Sequence, residues 1–156
     1  MPIRITNSQS KVSGEIPACH YSTATSIQTI NTGYSQVDSL QIDFTADRTG
    51  DVKIVFNAFL RATVLNTTGC TIQMRLVNGS NQYISNTQKT VHMFMDPDSA
   101  ATDPEGIYIT AIWIMSVTDG QTYTIRPQIK RSSSSNTYSV LHGGAYPISM
   151  ITAVGL

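Results

Sequence analysis

The stretch that decides the fold reads Leu40-Gln41-Ile42-Asp43-Phe44-Thr45-Ala46-Asp47. Apolar and polar residues alternate along it, and the side chains of a β-strand point to opposite faces with a period of two. We therefore expect Leu40, Ile42, Phe44 and Ala46 to form one buried face of a strand.

The same alternation extends over most of the chain, whereas no segment has the apolar spacing of an amphipathic helix. Turn signals such as Asn78-Gly79-Ser80-Asn81 and Thr118-Asp119-Gly120 separate the runs. The predicted strands are 22–31, 36–47, 51–65, 70–77, 82–85, 90–95, 106–117, 121–131 and 137–154, the last in two pieces. This pattern predicts an all-β chain, an antiparallel jelly-roll β-sandwich of about nine to ten strands.

The length of 156 residues fits one domain with a core of its own. We place this jelly-roll domain at 21–156 and a short irregular N-terminal arm at 1–20, where polar residues cluster. A disordered terminus is the alternative interpretation of the arm. If the arm anchors the protein to a larger surface, the candidate anchoring residues are Ile3, Arg4, Ile5, Lys11 and Val12.

The composition is polar but weakly charged. Charged residues make up 13% of the chain, against roughly 25% in an average globular domain, while Ser, Thr, Asn and Gln supply about a third. The ten basic and ten acidic residues cancel, which argues against a nucleic-acid or anionic-membrane partner. With no apolar segment after Met1, we expect synthesis in the cytoplasm of the cell that makes the protein.

Two predicted strands are apolar on both faces. In 52–64 the core set includes Val52, Ile54, Phe56, Ala58 and Leu60, but Val55 and Phe59 point the other way. In 106–117 the core set includes Ile107, Ile109, Ala111, Trp113, Met115 and Val117, and the opposite face carries Tyr108, Ile112 and Ile114. Sandwich strands with one wet face normally alternate cleanly, so something is expected to cover the second face. A loop of the same chain could do so, but an interface with another subunit is favoured.

Three segments resemble the heads of the C1q/TNF-like family. Gly50-Asp51-Val52-Lys53-Ile54-Val55-Phe56 is similar to their long inner strand, and the hairpin from Ile109 to Ile129 is similar to their penultimate strand pair. Gly143-Gly144-Ala145-Tyr146-Pro147-Ile148-Ser149-Met150-Ile151 resembles their final strand. The resemblance covers roughly residues 35–156 and implies a compact homotrimer, with Val55, Phe59, Tyr108, Ile112 and Ile114 at the oligomer interface.

The resemblance also suggests a role. Similar heads occur on phage fibres and as decorations of phage capsids, and this chain has neither a collagen repeat nor a coiled-coil heptad. We therefore expect a viral structural protein of the virion, a trimeric capsid decoration or head-fibre protein that binds a major capsid protein or another virion protein. The alternative is a receptor-binding adhesin head that recognises a host surface glycan or protein through Tyr34, Tyr83, Tyr108, Tyr138 and the tip 130–138.

The sequence offers only weak candidates for a metal site. Asp96, Asp98, Asp103 and Glu105 lie in one loop, and carboxylates are the ligands that Ca²⁺ prefers, but their spacing is not that of an EF-hand. A solvated loop held extended by two prolines is the favoured interpretation, so no cofactor is expected. Cys19 and Cys70 lack zinc-site spacing, and whether they form a disulfide stays open.

No catalytic motif is evident. The chain lacks a GxSxG elbow and an HExxH pair. His20, His92 and His142 are scattered, and His92 is expected to face solvent or an interface. We therefore predict that the protein is not an enzyme.

Overall fold

A computed structural model describes residues 5–6, 19–24, 27–62, 70–93, 106–132, 138–141 and 149–156. Within these ranges the chain forms twelve strands and no helix. The strands are β1 (Ile5–Thr6), β2 (Cys19–Thr23), β3 (Gln28–Ile30), β4 (Ser35–Gln36), β5 (Ile42–Ala46), β6 (Gly50–Ala62), β7 (Cys70–Asn78), β8 (Lys89–Met93), β9 (Gly106–Val117), β10 (Thr122–Arg131), β11 (Tyr138–Leu141) and β12 (Met150–Gly155).

The strands form two antiparallel sheets. In sheet I the central order is β2-β12-β6-β9. β11 pairs with residues 59–62 of β6, beyond the part of β6 that pairs with β12, and β3 pairs with β11. In sheet II the order is β1-β5-β10-β7-β8, with β4 also paired to β10. The chain passes repeatedly between the sheets, and several neighbouring strands are remote in sequence, such as β5 with β10 and β6 with β12. This connectivity is that of a jelly roll, so the predicted fold is confirmed.

The core lies between the two sheets and is built by the alternation that the sequence shows. Leu40, Ile42, Phe44 and Ala46 are all buried, as predicted. The core residues of β6 and β9 that point inward meet inward residues of β7 and β10, and the largest fully buried side chains include Ile54, Phe56, Leu60, Ile72, Met74, Leu76 and Ile125. Trp113 of β9 links the two sheets, because its indole N–H donates a hydrogen bond to the carbonyl of Thr87, which precedes β8 of sheet II.

Three predicted strands have different bounds in the structure. The predicted strand 36–47 divides into β4 and β5 at a turn in which Ser39 has a positive φ of 63°. The predicted strand 22–31 divides into β2 and β3. The predicted strand 82–85 is reduced to a single bridge between Tyr83 and Val77, because the Asn78 side-chain oxygen accepts hydrogen bonds from the backbone N–H groups of Ser80 and Gln82 and holds a turn there.

The N-terminal region contributes strands to both sheets. Ile5 and Thr6 pair with Ala46 and Thr45 and so extend the edge of sheet II. Cys19 and His20 belong to β2, so that strand begins two residues before the predicted domain boundary at residue 21. Among the predicted anchoring residues, Ile5 lies in β1, whereas Ile3, Arg4, Lys11 and Val12 lie outside the described residues.

Candidate functional site

The outer face of sheet I carries all five predicted interface residues. Val55 and Phe59 lie on β6, and their partners on β9 are Ile112 and Tyr108, respectively. Ile114 lies one step further along β9, opposite Lys53. Because residues two apart on a strand share a face, the register brings all five to one surface. We call this surface, with Val55, Phe59, Tyr108, Ile112 and Ile114, the apolar outer face.

The apolar outer face is substantially open to solvent in the single chain. Tyr108 is 67% exposed, Ile114 55% and Ile112 46%. Val55 and Phe59 are half-buried, and the ring centroids of Phe59 and Tyr108 lie 4.9 Å apart at an interplanar angle of 59°. This cross-strand aromatic contact is a favourable pairing. It still leaves most of Tyr108 exposed, so the described residues do not cover the second apolar side of these strands.

The register adds residues that sequence reasoning missed. Thr152 of β12 lies opposite Val55 and also opposite Tyr21 of β2. Tyr21, Thr152, Val55 and Ile112 therefore form one row across four strands, and Tyr21 is 71% exposed. The five residues of β2 do not alternate clearly, so only the pairing of β2 with β12 could have placed Tyr21 on this face.

Two pairs of polar residues on the same face are hydrogen-bonded to one another, and the half-buried Lys53 also lies on it, opposite Ile114. The Thr110 hydroxyl donates a hydrogen bond of 2.7 Å to the Asn57 side-chain oxygen. The Ser116 hydroxyl donates one of 2.8 Å to the Asp51 carboxylate. Covering this face would therefore not leave these acceptors without a partner, which lowers the cost of burying them.

The outer face of sheet II has the opposite character. Polar side chains of adjacent strands hydrogen-bond across it, which satisfies them without a partner chain. The pairs are Arg75 Nε to Gln128 Oε1 at 2.8 Å, Arg126 Nε to Gln41 Oε1 at 2.7 Å, Thr124 Oγ1 to Asp43 Oδ1 at 2.5 Å, and Thr45 with Thr122 at 2.9 Å. We call this surface the polar outer face.

Two of the tyrosines named for the alternative receptor-binding role contact cations within the chain. The Arg75 guanidinium carbon lies 3.9 Å from the centroid of the Tyr34 ring and 5.4 Å from that of Tyr83. The Lys130 ammonium lies 4.6 Å from the Tyr34 centroid. Burial raises the pKa of the Tyr34 phenol; the positive charge of Arg75 opposes this shift and Tyr83 reinforces it. Both rings therefore make contacts within the chain, and Tyr83 is still 44% exposed.

A groove opens beside this cluster at one end of sheet II. Its volume is about 380 Å³, and Thr32, Thr71, Gln73, Lys130, Arg131 and Ser132 line it. The lining combines two cationic side chains with hydroxyl and amide groups. Lys130 and Arg131 begin the tip 130–138 that the sequence singled out, but residues 133–137 lie outside the described residues.

Several sequence predictions fall outside the part of the chain that the structure describes. Asp96, Asp98, Asp103 and Glu105 are among them, as are the side chains of Cys19, Cys70 and Tyr138. In the described ranges no three His, Cys, Asp or Glu side chains form a group that could hold a metal ion. His92 is exposed, as predicted, with its Nδ1 atom 3.1 Å from the Thr71 hydroxyl.

The described segments also contain no helix long and apolar enough to span a membrane.

Comparisons with known proteins give a likeness in structure but none in sequence. No family model and no curated protein matches the chain. Among solved structures, the chain is similar to the Eiger TNF of S. frugiperda, with 8% identity and a TM-score of 0.48 over 91% of this chain and 94% of that one. The jelly-roll assignment of this chain rests on its own strand order.

Proposed function

We propose that the chain is a structural subunit that associates with copies of itself, as a trimeric head on the surface of a virus particle. The observation that carries this proposal is the apolar outer face, where Tyr108, Ile112 and Ile114 are each about half exposed or more. Contiguous apolar surface of this kind usually marks an interface.

A second copy of the chain is the partner that fits this face best. Copies have a formal net charge of zero, so long-range repulsion does not oppose their association. The pairs Thr110–Asn57 and Ser116–Asp51 on the face are already hydrogen-bonded, so an identical apolar surface can cover these two pairs. Closed rings are the common outcome of self-association, and the trimer is the ring implied by the C1q/TNF-like resemblance.

The particle role rests on the sequence resemblance and on the composition. A compact head with a surface rich in Ser, Thr, Asn and Gln suits a shell protein that must stay soluble before assembly. In this proposal the N-terminal residues, including Ile3, Arg4, Ile5, Lys11 and Val12, contact a capsid or other virion protein. Several copies in one trimer would then strengthen the attachment through avidity.

Light scattering tests the self-association directly. The full chain should have the mass of a trimer, and Ile112→Glu should reduce it to that of a monomer, because a carboxylate would have to be buried without a partner. The matched control is Thr90→Glu, which adds the same charge at an exposed position on β8 of sheet II and should leave the trimer intact. A monomeric full chain, or an Ile112→Glu variant with unchanged mass, would overturn the proposed interface.

A binding assay separates the particle role from the adhesin alternative. The trimer should bind purified virus shells and ignore host cells, whereas an adhesin head should do the reverse.

A further inference from the structure

Lys53 is a charged residue between apolar neighbours on the outer face of sheet I. It lies opposite Ile114 on β9 and Val154 on β12, and it is half-buried. Among the described residues its ammonium forms no ion pair or hydrogen bond. A second apolar surface laid over this row would take the ammonium out of water, and an ionised group buried without a partner is very unfavourable. The surface that covers Lys53 should therefore supply a carboxylate.

Asp51 is the carboxylate that a second copy of the chain offers for this purpose. It is exposed and lies two residues before Lys53 on β6, so both side chains point to the same face. Its one described side-chain hydrogen bond comes from the Ser116 hydroxyl at 2.8 Å. Because a carboxylate accepts at about four lone-pair positions, this contact leaves its charge open to a cation. No other outward-facing residue described on β2, β12, β6 or β9 is acidic.

Within a single chain these two charges do not meet. Residues two apart on a strand are separated by about 7 Å, and the described part of the chain contains no ion pair between Asp51 and Lys53. A second copy that is displaced by this spacing places its carboxylate beside the ammonium. Every copy carries one cation and one anion on the face, so the same contact can repeat at each interface of a closed ring.

We propose that Lys53 of one copy forms an ion pair with Asp51 of the next copy within the interface made by the apolar outer face. This inference rests on the self-association proposed above and adds the contact that orients the copies. Apolar burial has no direction, whereas misplaced copies would bring like charges together or leave the ammonium unpaired. Because the two residues are so close within a chain, the contact can close a ring only if the beginning of β6 lies beside the symmetry axis.

The sign of the effect of Lys53→Met tests the ion pair. If the ammonium is paired, this variant should weaken self-association by about tenfold or more, because removing one partner of a buried ion pair leaves the other charge uncompensated. If the ammonium has no partner in the assembly, its removal should strengthen self-association instead. Sedimentation equilibrium measures the dissociation constant. An unchanged or stronger association of Lys53→Met would overturn the proposal.

Charge reversal supplies the matched control. Lys53→Glu places two carboxylates face to face and should weaken self-association more than Lys53→Met does. Lys89→Glu makes the same change of charge at an exposed position of β8 in sheet II and should leave the dissociation constant unchanged. The double variant Asp51→Lys with Lys53→Asp exchanges the two charges and should recover most of the affinity that Lys53→Glu loses. A double variant that recovers none of it, or an equal loss in Lys89→Glu, would contradict the ion pair.

The two proposals fail in different ways. If the native chain associates, Ile112→Glu is monomeric and Lys53→Glu associates as the native chain does, then the apolar outer face is the interface and only the ion pair is wrong. If the native chain is monomeric at every concentration, both proposals are wrong.

Discussion

The outer faces of the two sheets use the same pleated backbone in opposite ways. On sheet II, strands remote in sequence place donors opposite acceptors, as in the pairs Arg75–Gln128 and Arg126–Gln41. On sheet I, the positions opposite one another include Val55 with Ile112 and Phe59 with Tyr108. The side chains of these pairs on the polar outer face are therefore hydrogen-bonded within the single chain. The apolar outer face, in contrast, exposes apolar area to water, and burying it would be favourable by about 25 cal/mol per Å².

This difference separates two kinds of stability. Cross-strand hydrogen bonds on the polar outer face contribute to the folding of each chain, independently of protein concentration. Side chains on the apolar outer face contribute little to the single chain but contribute when a partner covers them, so their effect should depend on concentration. The two faces can consequently be told apart by how unfolding responds to substitution and to dilution.

Two neighbouring residues of β6 allow the inner and outer faces to be compared within one strand. One of them has the largest expected effect on the free energy of unfolding. Phe56 and Val55 are neighbours on β6, with Phe56 fully buried between the sheets and Val55 on the apolar outer face. Phe56→Ala should lower the free energy of unfolding by about 3–5 kcal/mol at any concentration. Val55→Ala should cost less than about 1 kcal/mol in dilute protein and more as the concentration rises.

Denaturant unfolding at two protein concentrations measures both variants in this comparison. If the cost of Val55→Ala did not change with concentration, the apolar outer face would have no partner in solution, and the distinction between the two faces would be lost.

A smaller effect is expected from the polar outer face. Gln128 is 9% exposed and accepts the 2.8 Å hydrogen bond from Arg75. Gln128→Ala leaves the Arg75 guanidinium without this acceptor and should lower the free energy of unfolding by roughly 1–2 kcal/mol. The matched variant on sheet I is Asn57→Ala, which removes the acceptor of the Thr110 hydroxyl at a more accessible site, and it should cost less than about 0.5 kcal/mol in dilute protein.

Chemical denaturation of both variants under identical conditions checks this prediction. Comparable losses would mean that cross-strand hydrogen bonds stabilise the two faces equally, which would contradict the expected difference between them.

The inward and outward alternation was predictable from the sequence because it needs only the period of a single strand. That period predicted the buried set Leu40, Ile42, Phe44 and Ala46, and it also predicted that Tyr108, Ile112 and Ile114 share a face. It was wrong for Ile107, which is 37% exposed. Ile107 is the second residue of β9, and a side chain so near the end of a strand has fewer neighbours to cover it.

Pairings between distant strands could not be read in the same way. The row that joins Tyr21 to Val55 depends on β12 lying between β2 and β6. The contacts of Arg75 with Tyr34 and Gln128 span 41 and 53 positions, respectively. Alternation gives the face of a residue but not the register of its strand against another. The groove and the contacts of Arg75 and Lys130 with the Tyr34 ring could therefore be identified only from the pairing of the strands.

The smallest expected effect concerns Tyr34, the ring at the centre of that cation cluster. Burial raises the pKa of the Tyr34 phenol above its ordinary value, so the folded chain holds this proton more tightly than the unfolded chain. The resulting stabilisation is fully present below the ordinary tyrosine pKa of about 10 and is lost as the pH rises through the higher pKa of the folded state.

Tyr34→Phe has no proton to lose. The difference in unfolding free energy between the native chain and the variant should therefore stay constant near neutral pH and shift against the native chain in alkali. Denaturant titrations across that range measure the difference. A constant difference would show that ionisation of Tyr34 does not affect the stability of the fold. The shift should be smaller than the effect of Gln128→Ala, because the phenol is only half-buried.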